Sequence, residues 1–266
     1  MTQTKKYSIL VVDDDSANIR TLTHILYHDY TIYAAKSGQT ALEVAKKNIP
    51  DLILLDVIMP YMNGYEVLDE LKKSDNTKNI PVIFITGLND SSDEEKGFDL
   101  GVDDYIPKPF SENLVKLRVR SQIRLIEKNR KYEYEIQKYK LVNTAMQIAL
   151  WDKDFTEEVD LNPQSLFNYS QEFHKMLGFS DENDPPNQFS TLTEKLHPED
   201  KEYTINLLIS HLNDFTGNTT FNPKFRLMCK NGEYRYFQAH GTTMRDLDGK
   251  PIRFAGSILD ITDIIS

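Results

Sequence analysis

The sequence predicts an α/β unit with a parallel sheet, then a long helix, and then an α+β unit with an antiparallel sheet. Apolar strand-like runs alternate with helical patterns from Tyr7 to about Arg124, as in sheets covered by helices on both faces. No proline or glycine occurs between Ser111 and Pro163, so much of that stretch is expected to be one helix. Beyond Ala149 the chain is rich in strand-like segments, and Asn-Gly and Asp-Gly pairs separate the last three as hairpin turns.

Composition limits the class of protein. A chain of 266 residues is long enough for two ordinary domains. Its 31 Lys and Arg residues against 41 Asp and Glu give a net charge of −10, which argues against direct binding to nucleic acid. The single cysteine, Cys229, excludes an intramolecular disulfide. No apolar run approaches the ~20 residues that span a bilayer, and the first residues do not form a secretion signal. We therefore expect a cytoplasmic protein without membrane contact.

The first unit is expected to contain five strands and four helices. The strands are predicted at 9–12, 30–35, 52–55, 81–85 and 104–106, and the helices at 16–27, 38–47, 64–73 and 91–100. The third strand has four consecutive apolar residues, which is typical of a strand buried on both faces.

Polar residues follow the ends of four of these strands. Asp13 and Asp14 follow the first, Asp56 the third, Thr86 the fourth and Lys108 the fifth. Each of them alone is explained as well by a structural role, such as a helix cap or a solvated charge. Together they indicate a site, because the carboxyl ends of parallel strands meet at one edge of a sheet, where ligands bind.

These motifs resemble the receiver domain of two-component response regulators over roughly residues 6–125. The resemblance implies the flavodoxin-like strand order 2-1-3-4-5. It also implies that Asp56 accepts a phosphoryl group and that Thr86 and Lys108 contact the phosphoryl oxygens. Tyr105 matches the switch aromatic of the family, whose ring moves when Thr86 is drawn towards the phosphate; a half-buried strand tyrosine is the alternative.

The same resemblance implies a Mg²⁺ site. Asp14 and Asp56 would hold the ion, with Asp13 helping directly or through water, and the backbone carbonyl of Ile58 would complete the protein ligands. Ile58 and Leu88 stand where many receivers carry polar side chains that assist hydrolysis. We therefore expect slow loss of the phosphoryl group.

The expected domains are 1–125, a helical linker at 111–148 that continues the last helix of the first domain, and 149–266. A heptad fits the linker, with Val115, Gln122, Asn129, Ile136 and Asn143 at one core position and Arg118, Leu125, Tyr132, Tyr139 and Met146 at the other. Asparagine at a core position favours a paired coil in fixed register, and hence a parallel homodimer. A solvated helix packed on its own domain is the alternative.

The last part of the chain resembles a PAS sensor domain over roughly residues 145–263, most closely those of bacterial chemoreceptor-type proteins. The motifs are Met-Leu-Gly-Phe at 176–179, Leu-His-Pro-Glu-Asp at 196–200, Lys-Asn-Gly-Glu-Tyr-Arg at 230–235 and Asp-Ile-Thr at 260–262. Strands are expected at 149–155, 165–169, 221–229, 234–245 and 251–260, helices at 172–177 and 197–212, and a loop at 181–188.

The ligand of this second domain is left open, and the domain is equally compatible with having none. Cys229 lacks the sequence context of flavin-adduct photosensors, and the neighbours of His211 do not match a haem site. We expect both to be structural. The aromatic residues Trp151, Tyr169, Phe173, Phe179, Phe189 and Phe237 are expected to build the core.

The predicted function is a response regulator. It would take a phosphoryl group from a histidine kinase or phosphotransfer protein and relay the change through the helix to the PAS domain. No enzymatic activity is expected beyond its own phosphorylation and dephosphorylation. The alternative is the sensory part of a larger histidine kinase or diguanylate cyclase, although neither a kinase phosphoacceptor box nor a Gly-Gly-Asp/Glu-Glu-Phe motif is found. A DNA-binding regulator is disfavoured by the acidic charge and by the lack of a basic helix-turn-helix.

Overall fold

The chain divides into two structural units, Met1–Tyr134 and Glu135–Ser266. The computed structural model describes residues 6–87, 101–156, 159–180 and 186–265. Each unit has its own sheet and its own hydrophobic core. Within these described ranges, no helix combines the length and apolar character needed to cross a membrane.

A parallel sheet forms the centre of the first unit. Its strands are β1 (Ser8–Val12), β2 (Thr31–Ala35), β3 (Leu52–Asp56), β4 (Val82–Thr86) and β5 (Asp104–Pro107). They lie in the order β2-β1-β3-β4-β5, and every neighbouring pair is parallel. The predicted fold of this unit is confirmed. Strands β3 and β4 are buried along their whole length, as the uninterrupted apolar runs predicted.

Helices cover both faces of this sheet. They are α1 (Ser16–Leu26), α2 (Gly38–Asn48), α3 (Gly64–Lys72) and the first part of α4 (Glu112–Met146). Buried residues of α2 and α3 belong to one core cluster, and those of α1 and α4 to the other. The helix predicted at 91–100 lies outside the described residues.

Helix α4 uses its first turns to pack on the sheet. Val115, Val119 and Ile123 are buried in the same cluster as β1 and β3, and their spacing of four makes one stripe. Gln122 is buried beside them. Val115 and Gln122 are therefore not part of an intermolecular heptad, and the predicted pairing is wrong for this first portion. The residues from Leu125 onward at the predicted heptad positions are mostly exposed.

Two turns beyond Ile123, Arg130 ties α4 to the amino-terminal edge of the sheet. Its guanidinium Nη2 lies 2.6 Å from Asp51 Oδ1, and its Cζ lies 5.5 Å from the centre of the Tyr7 ring. The other Asp51 oxygen accepts from the backbone N–H and the hydroxyl of Ser8, at 2.7 and 2.9 Å. Burial alone would raise the pKa of Asp51, but the hydrogen bonds from Ser8 and Arg130 hold it below its usual value.

An antiparallel sheet forms the second unit, as predicted. Its strands are β6 (Ala149–Asp154), β7 (Asn168–Tyr169), β8 (Lys224–Met228), β9 (Tyr234–Arg245) and β10 (Pro251–Asp260), in the order β7-β6-β10-β9-β8. The helices are α5 (Gln171–Met176), α6 (Phe189–Thr193), α7 (Pro198–Asn213) and α8 (Thr262–Ile265).

Two predicted strands are shorter than expected. The strand predicted at 165–169 contains only β7, because Leu166 makes a single bridge to Gln188 instead of continuing the ladder. The strand predicted at 221–229 begins at Lys224, directly after Pro223, whose nitrogen cannot donate to a ladder. Phe221 pairs only by an isolated bridge to Gly241. Residues 181–185 of the predicted loop lie outside the described residues.

Aromatic side chains fill the core of the second unit, as predicted. Trp151, Tyr169, Phe173, Phe189 and Phe237 are buried, and Phe179 packs against them partly exposed. The indole of Trp151 lies over the cross-strand glycine pair formed by Gly241 and Gly256. A Cβ at Gly256 would lie 2.4 Å from Trp151 Cζ2 and 2.1 Å from the His240 carbonyl oxygen. The glycine is required because Trp151 and the neighbouring strand approach so closely.

Replacing Gly256 by alanine is expected to lower the free energy of unfolding of the second unit by about 1–3 kcal/mol, the usual range for overpacking. Part of the obstruction is backbone, so a rotamer change alone cannot relieve it. Thermal unfolding of the two variants Gly256→Ala and Ser257→Ala provides the measurement and its control. Equal melting temperatures for both would contradict the packing argument.

Candidate functional site

Three carboxylates meet at the carboxyl ends of β1 and β3. Asp13 follows β1 directly and is fully buried, and Asp56 is the last residue of β3 and is 4% exposed. Asp14 is exposed. One carboxylate oxygen from each of the three lies within 4.8 Å of the others. The sheet brings together the acids that the sequence predicted would meet there.

Lys108 binds two of these acids. Its ammonium Nζ lies 2.9 Å from Asp13 Oδ2 and 2.8 Å from Asp56 Oδ2. The backbone N–H of Lys108 donates to the carbonyl of Thr86 at 2.6 Å, which holds the end of β5 beside β4. The following peptide bond, to Pro109, is cis. The predicted site lysine therefore contacts the predicted site acids directly.

Asn18 orients Asp13, and sequence reasoning did not single it out. Its side-chain Nδ2 donates to both carboxylate oxygens of Asp13, at 3.1 and 3.0 Å. The backbone N–H of Asp15 donates to Asp13 Oδ1 at 2.8 Å, while the Asp15 side chain caps α1. The sequence held one indication of this contact: Asn18 lies in the first turn of α1, which begins three residues after Asp13.

The charges in this cluster shift the pKa values of its members. Burial raises the pKa of Asp56, the negative charge of Asp13 adds to this, and the hydrogen bond from Lys108 opposes it. Burial alone would lower the pKa of Lys108, but its hydrogen bonds to Asp56 and Asp13 outweigh burial, and its pKa is raised. Ionised Asp56 is therefore costly here unless further positive charge is present.

The loop after β3 wraps closely around Asp56. The N–H of Ile58 donates to Asp56 Oδ1 at 3.4 Å, and the Ile58 side chain is 60% exposed. The N–H of Gly64 donates to the carbonyl of Val57 at 2.9 Å. A Cβ at Gly64 would lie 2.5 Å from the backbone oxygen of Asp56, so only glycine fits without moving the loop. The loop from Pro60 to Gly64 thus supports the end of β3 closely.

Thr86 and Tyr105 lie on the two strands that follow in the sheet. Thr86 is buried at the end of β4, and the residue before it, Ile85, pairs with Asp56. Tyr105 is half-buried on β5, with its ring centre 5.9 Å from that of Phe84. Leu88, named in the sequence analysis, lies outside the described residues.

Comparison with known families assigns both units. The model of the response regulator receiver domain matches residues 9–120, and the model of the PAS fold matches residues 166–258. The chain is a receiver domain followed by a PAS domain. All of the predicted receiver site residues fall inside the first match. Strand β6, the first strand of the antiparallel sheet, precedes the second match.

Curated relatives share part of this chain. A probable cyclic di-GMP phosphodiesterase from Vibrio cholerae is 44% identical over 123 residues, which are 46% of this chain and 28% of that protein. A probable transcriptional regulator, ycf27, from Porphyridium aerugineum is 40% identical over 125 residues, 47% of this chain and 51% of that protein. The chain thus spans about a quarter to a half of the length of these relatives.

A solved structure gives a similar comparison. The receiver domain of the Francisella response regulator 1452 is 30% identical and has a TM-score of 0.42, covering 44% of this chain and 96% of that one.

In the PAS domain, the two polar candidates from the sequence are held within the fold. His211 is buried, with Nδ1 3.0 Å from the carbonyl of Thr219 and Nε2 2.9 Å from the hydroxyl of Thr243. Cys229 is a buried free thiol whose pKa is raised by burial. The cavity between sheet and helices has a volume of about 20 Å³, which holds about one water molecule. Tyr169, whose buried hydroxyl makes no hydrogen bond within the described residues, lines this cavity.

Proposed function

We propose that the protein is a two-component response regulator in which Asp56 accepts a phosphoryl group from a histidine kinase or phosphotransfer protein. The observation that carries this is the contact of Lys108 with Asp13 and Asp56 inside a cluster of three carboxylates. Phosphoryl transfer needs a nucleophile, a cation and fixed positive charge around the moving oxygens, and these residues can supply or bind all three.

In the proposed reaction, a carboxylate oxygen of Asp56 attacks the phosphorus of the donor. A new oxygen–phosphorus bond forms as the bond from phosphorus to the donor nitrogen breaks, and the product is an acyl phosphate. The electron pair of the broken bond leaves with the donor imidazole. In this proposal Lys108 exchanges its contact with Asp56 for one with a phosphoryl oxygen, and Thr86 donates its hydroxyl to another.

The acidic cluster fits Mg²⁺. Carboxylate oxygens are hard ligands, and Mg²⁺ binds through few of them while retaining water and phosphate oxygens. Asp13, Asp14 and Asp56 would hold the ion together with the backbone carbonyl of Ile58. A bound Mg²⁺ would neutralise negative charge on the phosphoryl oxygens and on Asp56. The raised pKa of Asp56 supports this, because the site favours added positive charge.

The test of this function is phosphorylation of the full chain by a small phosphodonor such as acetyl phosphate. With Mg²⁺, intact mass should increase by one phosphoryl group, and with EDTA it should not change. Labelling that is independent of Mg²⁺, or no labelling from any donor or histidine kinase, would contradict the proposal.

We propose that Thr86 and Tyr105 report phosphorylation to the rest of the receiver. Thr86 ends β4, one residue beyond Ile85, the strand partner of Asp56. Tyr105 lies on the neighbouring strand β5, where its ring contacts Phe84. Movement of Thr86 towards the phosphate would change the packing around Tyr105.

Slow hydrolysis of the acyl phosphate is expected, because the exposed apolar side chain of Ile58 cannot hold an attacking water by hydrogen bonds. The double variant Ile58→Asn, Leu88→Gln should shorten the phosphate lifetime about tenfold or more, since positioned polar groups commonly contribute at least that much. Decay is followed by intact mass after removal of the donor. Ile58→Val with Leu88→Ile is the control, and equal decay in both double variants would remove the argument.

We propose further that the chain forms a parallel homodimer through the later part of α4. Leu125, Tyr132, Ile136, Tyr139 and Met146 are each more than half exposed. They fall on the heptad positions of one helix face, together with Asn129. A second copy in register would cover this face and satisfy the asparagine.

A second candidate function is the sensory part of a larger signalling enzyme. The curated relative from Vibrio cholerae favours it, because the region shared with this chain makes up only 28% of that protein. Sequencing the gene beyond the codon for Ser266 tests it directly, since an uninterrupted reading frame into a catalytic domain would support it and a stop codon would exclude it.

A further inference from the structure

Every hydrogen-bonding position on the Asp13 carboxylate is occupied by a donor. Its Oδ1 accepts from the backbone N–H of Asp15 at 2.8 Å and from the side-chain amide of Asn18 at 3.1 Å. Its Oδ2 accepts from the same amide at 3.0 Å and from the ammonium of Lys108 at 2.9 Å. An ionised carboxylate has about four lone-pair sites, two on each oxygen. Asp13 therefore has no lone pair left for a cation, or for a water molecule bound to a cation.

Burial makes these contacts necessary in the metal-free protein. Asp13 is fully buried, so water does not replace a donor that is lost. A buried carboxylate without donors is costly, because it has given up its hydration and received nothing in exchange. The donors thus stabilise the ionised carboxylate, and a cation that binds through Asp13 must displace one of them.

Of the three donors, the amide of Asn18 is displaced at the least cost. The N–H of Asp15 belongs to the backbone at the start of α1, where the Asp15 side chain caps the helix. Lys108 is charged and also contacts Asp56, so its hydrogen bond to Asp13 is charge-assisted and strong. The amide of Asn18 is neutral, and its two contacts with Asp13 are the longest of the four.

Helix α1 keeps the backbone of Asn18 in place. The next residue, Ile19, is buried in the receiver core together with Leu22 of the following turn. Asn18 itself is half-buried, on the side of α1 from which its amide reaches Asp13. A rotation of the Asn18 side chain is therefore sufficient to break its contact with Asp13, and the helix does not have to move.

We propose that Asn18 sets the affinity of the receiver for divalent cations by competing with the cation for Asp13. This inference rests on the proposed Mg²⁺ site and deepens it. In the metal-free protein the amide occupies one acceptor position on each Asp13 oxygen. When Mg²⁺ binds, the amide rotates away, and the vacated positions accept the ion or its waters. Asn18 thus stabilises the metal-free state and weakens cation binding.

A residue that only orients a metal ligand has the opposite effect. Loss of such a partner weakens metal binding, commonly by about 10–100-fold. Loss of a competitor strengthens metal binding. The direction of the change in Mg²⁺ affinity therefore separates the two roles.

The variant Asn18→Leu tests the proposal in the full chain, because leucine has nearly the shape of asparagine and donates no hydrogen bond. Isothermal titration calorimetry with MgCl₂ at constant ionic strength measures the dissociation constant. The variant should bind Mg²⁺ about tenfold more tightly than wild type, the scale of a hydrogen bond to a charged group. In EDTA the receiver of the variant should melt at a lower temperature, because Asp13 has lost a donor. Added MgCl₂ should then raise the melting temperature of the variant more than that of wild type.

Thr21→Ala is the matched control. Thr21 lies about one turn beyond Asn18 on α1, is exposed, and donates its hydroxyl to the carbonyl of Ala17 at 2.9 Å. This control should bind Mg²⁺ as wild type does. If Asn18→Leu does not fold, Asn18→Ala decides, since alanine also lacks the donor and favours the helix.

Unchanged or weaker Mg²⁺ binding by the Asn18 variant overturns the proposal, as does an equal gain in Thr21→Ala. The absence of Mg²⁺ binding by both wild type and variant overturns it as well. These outcomes are separable from those of the phosphorylation test. If acetyl phosphate labels the chain but the variant gains no affinity, the proposed function stands and this inference is wrong. If the variant gains affinity but the chain is never labelled, this inference stands and the proposed phosphorylation is wrong.

Discussion

Asp56→Asn will abolish phosphorylation of the full chain while leaving its fold intact. The amide has nearly the same shape as the carboxylate and can still accept a hydrogen bond from Lys108, but it is not a nucleophile for phosphoryl transfer. Asp56 lies at the centre of the proposed site, with Lys108 at 2.8 Å and the Ile58 N–H at 3.4 Å. The expected loss is complete, because no other described acid combines this burial with the contact to Lys108 and a strand end beside Thr86.

Intact-mass analysis after incubation with acetyl phosphate and Mg²⁺ measures the loss. Asp15→Asn is the matched control, because Asp15 adjoins the acidic cluster but caps α1, and asparagine caps as well as aspartate does. This control should be labelled as wild type is. Labelling of Asp56→Asn to the wild-type extent would show that the phosphoryl group is carried elsewhere.

The same substitution should stabilise the receiver at neutral pH in the absence of Mg²⁺. The pKa of Asp56 is raised in the fold above its usual value of 3.8, so folding favours the protonated acid, and the wild type loses stability as the pH rises through the folded pKa. Asparagine avoids that loss. The stability that the variant gains over wild type should decrease as the pH is lowered towards 3.8. It should also decrease when Mg²⁺ is added, because the ion stabilises the wild type. Thermal unfolding of both proteins measures these differences.

The second large effect is expected on the oligomeric state. Ile136→Asp with Tyr139→Asp should convert a dimer of the full chain into a monomer, halving the mass in solution. Both side chains are more than half exposed on α4, at 53% and 66%, and both lie at predicted core positions of the heptad. Burying two aspartates from each chain against their copies in a parallel pair would cost more than a coil of moderate strength can offset.

Light scattering at tens of micromolar, a scale suited to weak association, measures the mass of wild type and variant. The control is Tyr134→Asp with Leu141→Asp, because these residues are also exposed, at 68% and 72%, but lie off the predicted seam. The control should remain dimeric. A monomeric wild type, with or without beryllofluoride as a phosphoryl mimic, would exclude the proposed pairing, as would a dimeric Ile136→Asp, Tyr139→Asp protein.

The receiver core could be predicted from the sequence because its signals are local and strong. Continuous apolar runs identify buried strands, and a polar residue directly after such a run must lie at the sheet edge. The positions of Asp13 and Asp56 follow from that rule, whereas Lys108 comes after β5, which is short and less apolar. Asn18 could not be found in this way, because its contact with Asp13 depends on the entry angle of α1, which the turn at Asp14 and Asp15 determines.

Other features depend on contacts that a sequence pattern does not distinguish. The heptad on α4 has nearly the same period as the stripe that packs on the sheet, so periodicity could not show that Val115 and Gln122 belong to the core of their own domain. Strand β7 is short because Leu166 meets Gln188 across a segment distant in sequence.

The contact between Arg130 and Asp51 changes where the receiver should be cut from the chain. The family match ends at residue 120 and the sequence placed the border at 125, yet the guanidinium that neutralises Asp51 comes from five residues later still. A fragment ending at 125 would keep every residue of the phosphorylation site and lose a charge partner at the opposite edge of the sheet. Its acid stability, rather than its chemistry, would then differ from that of the intact protein.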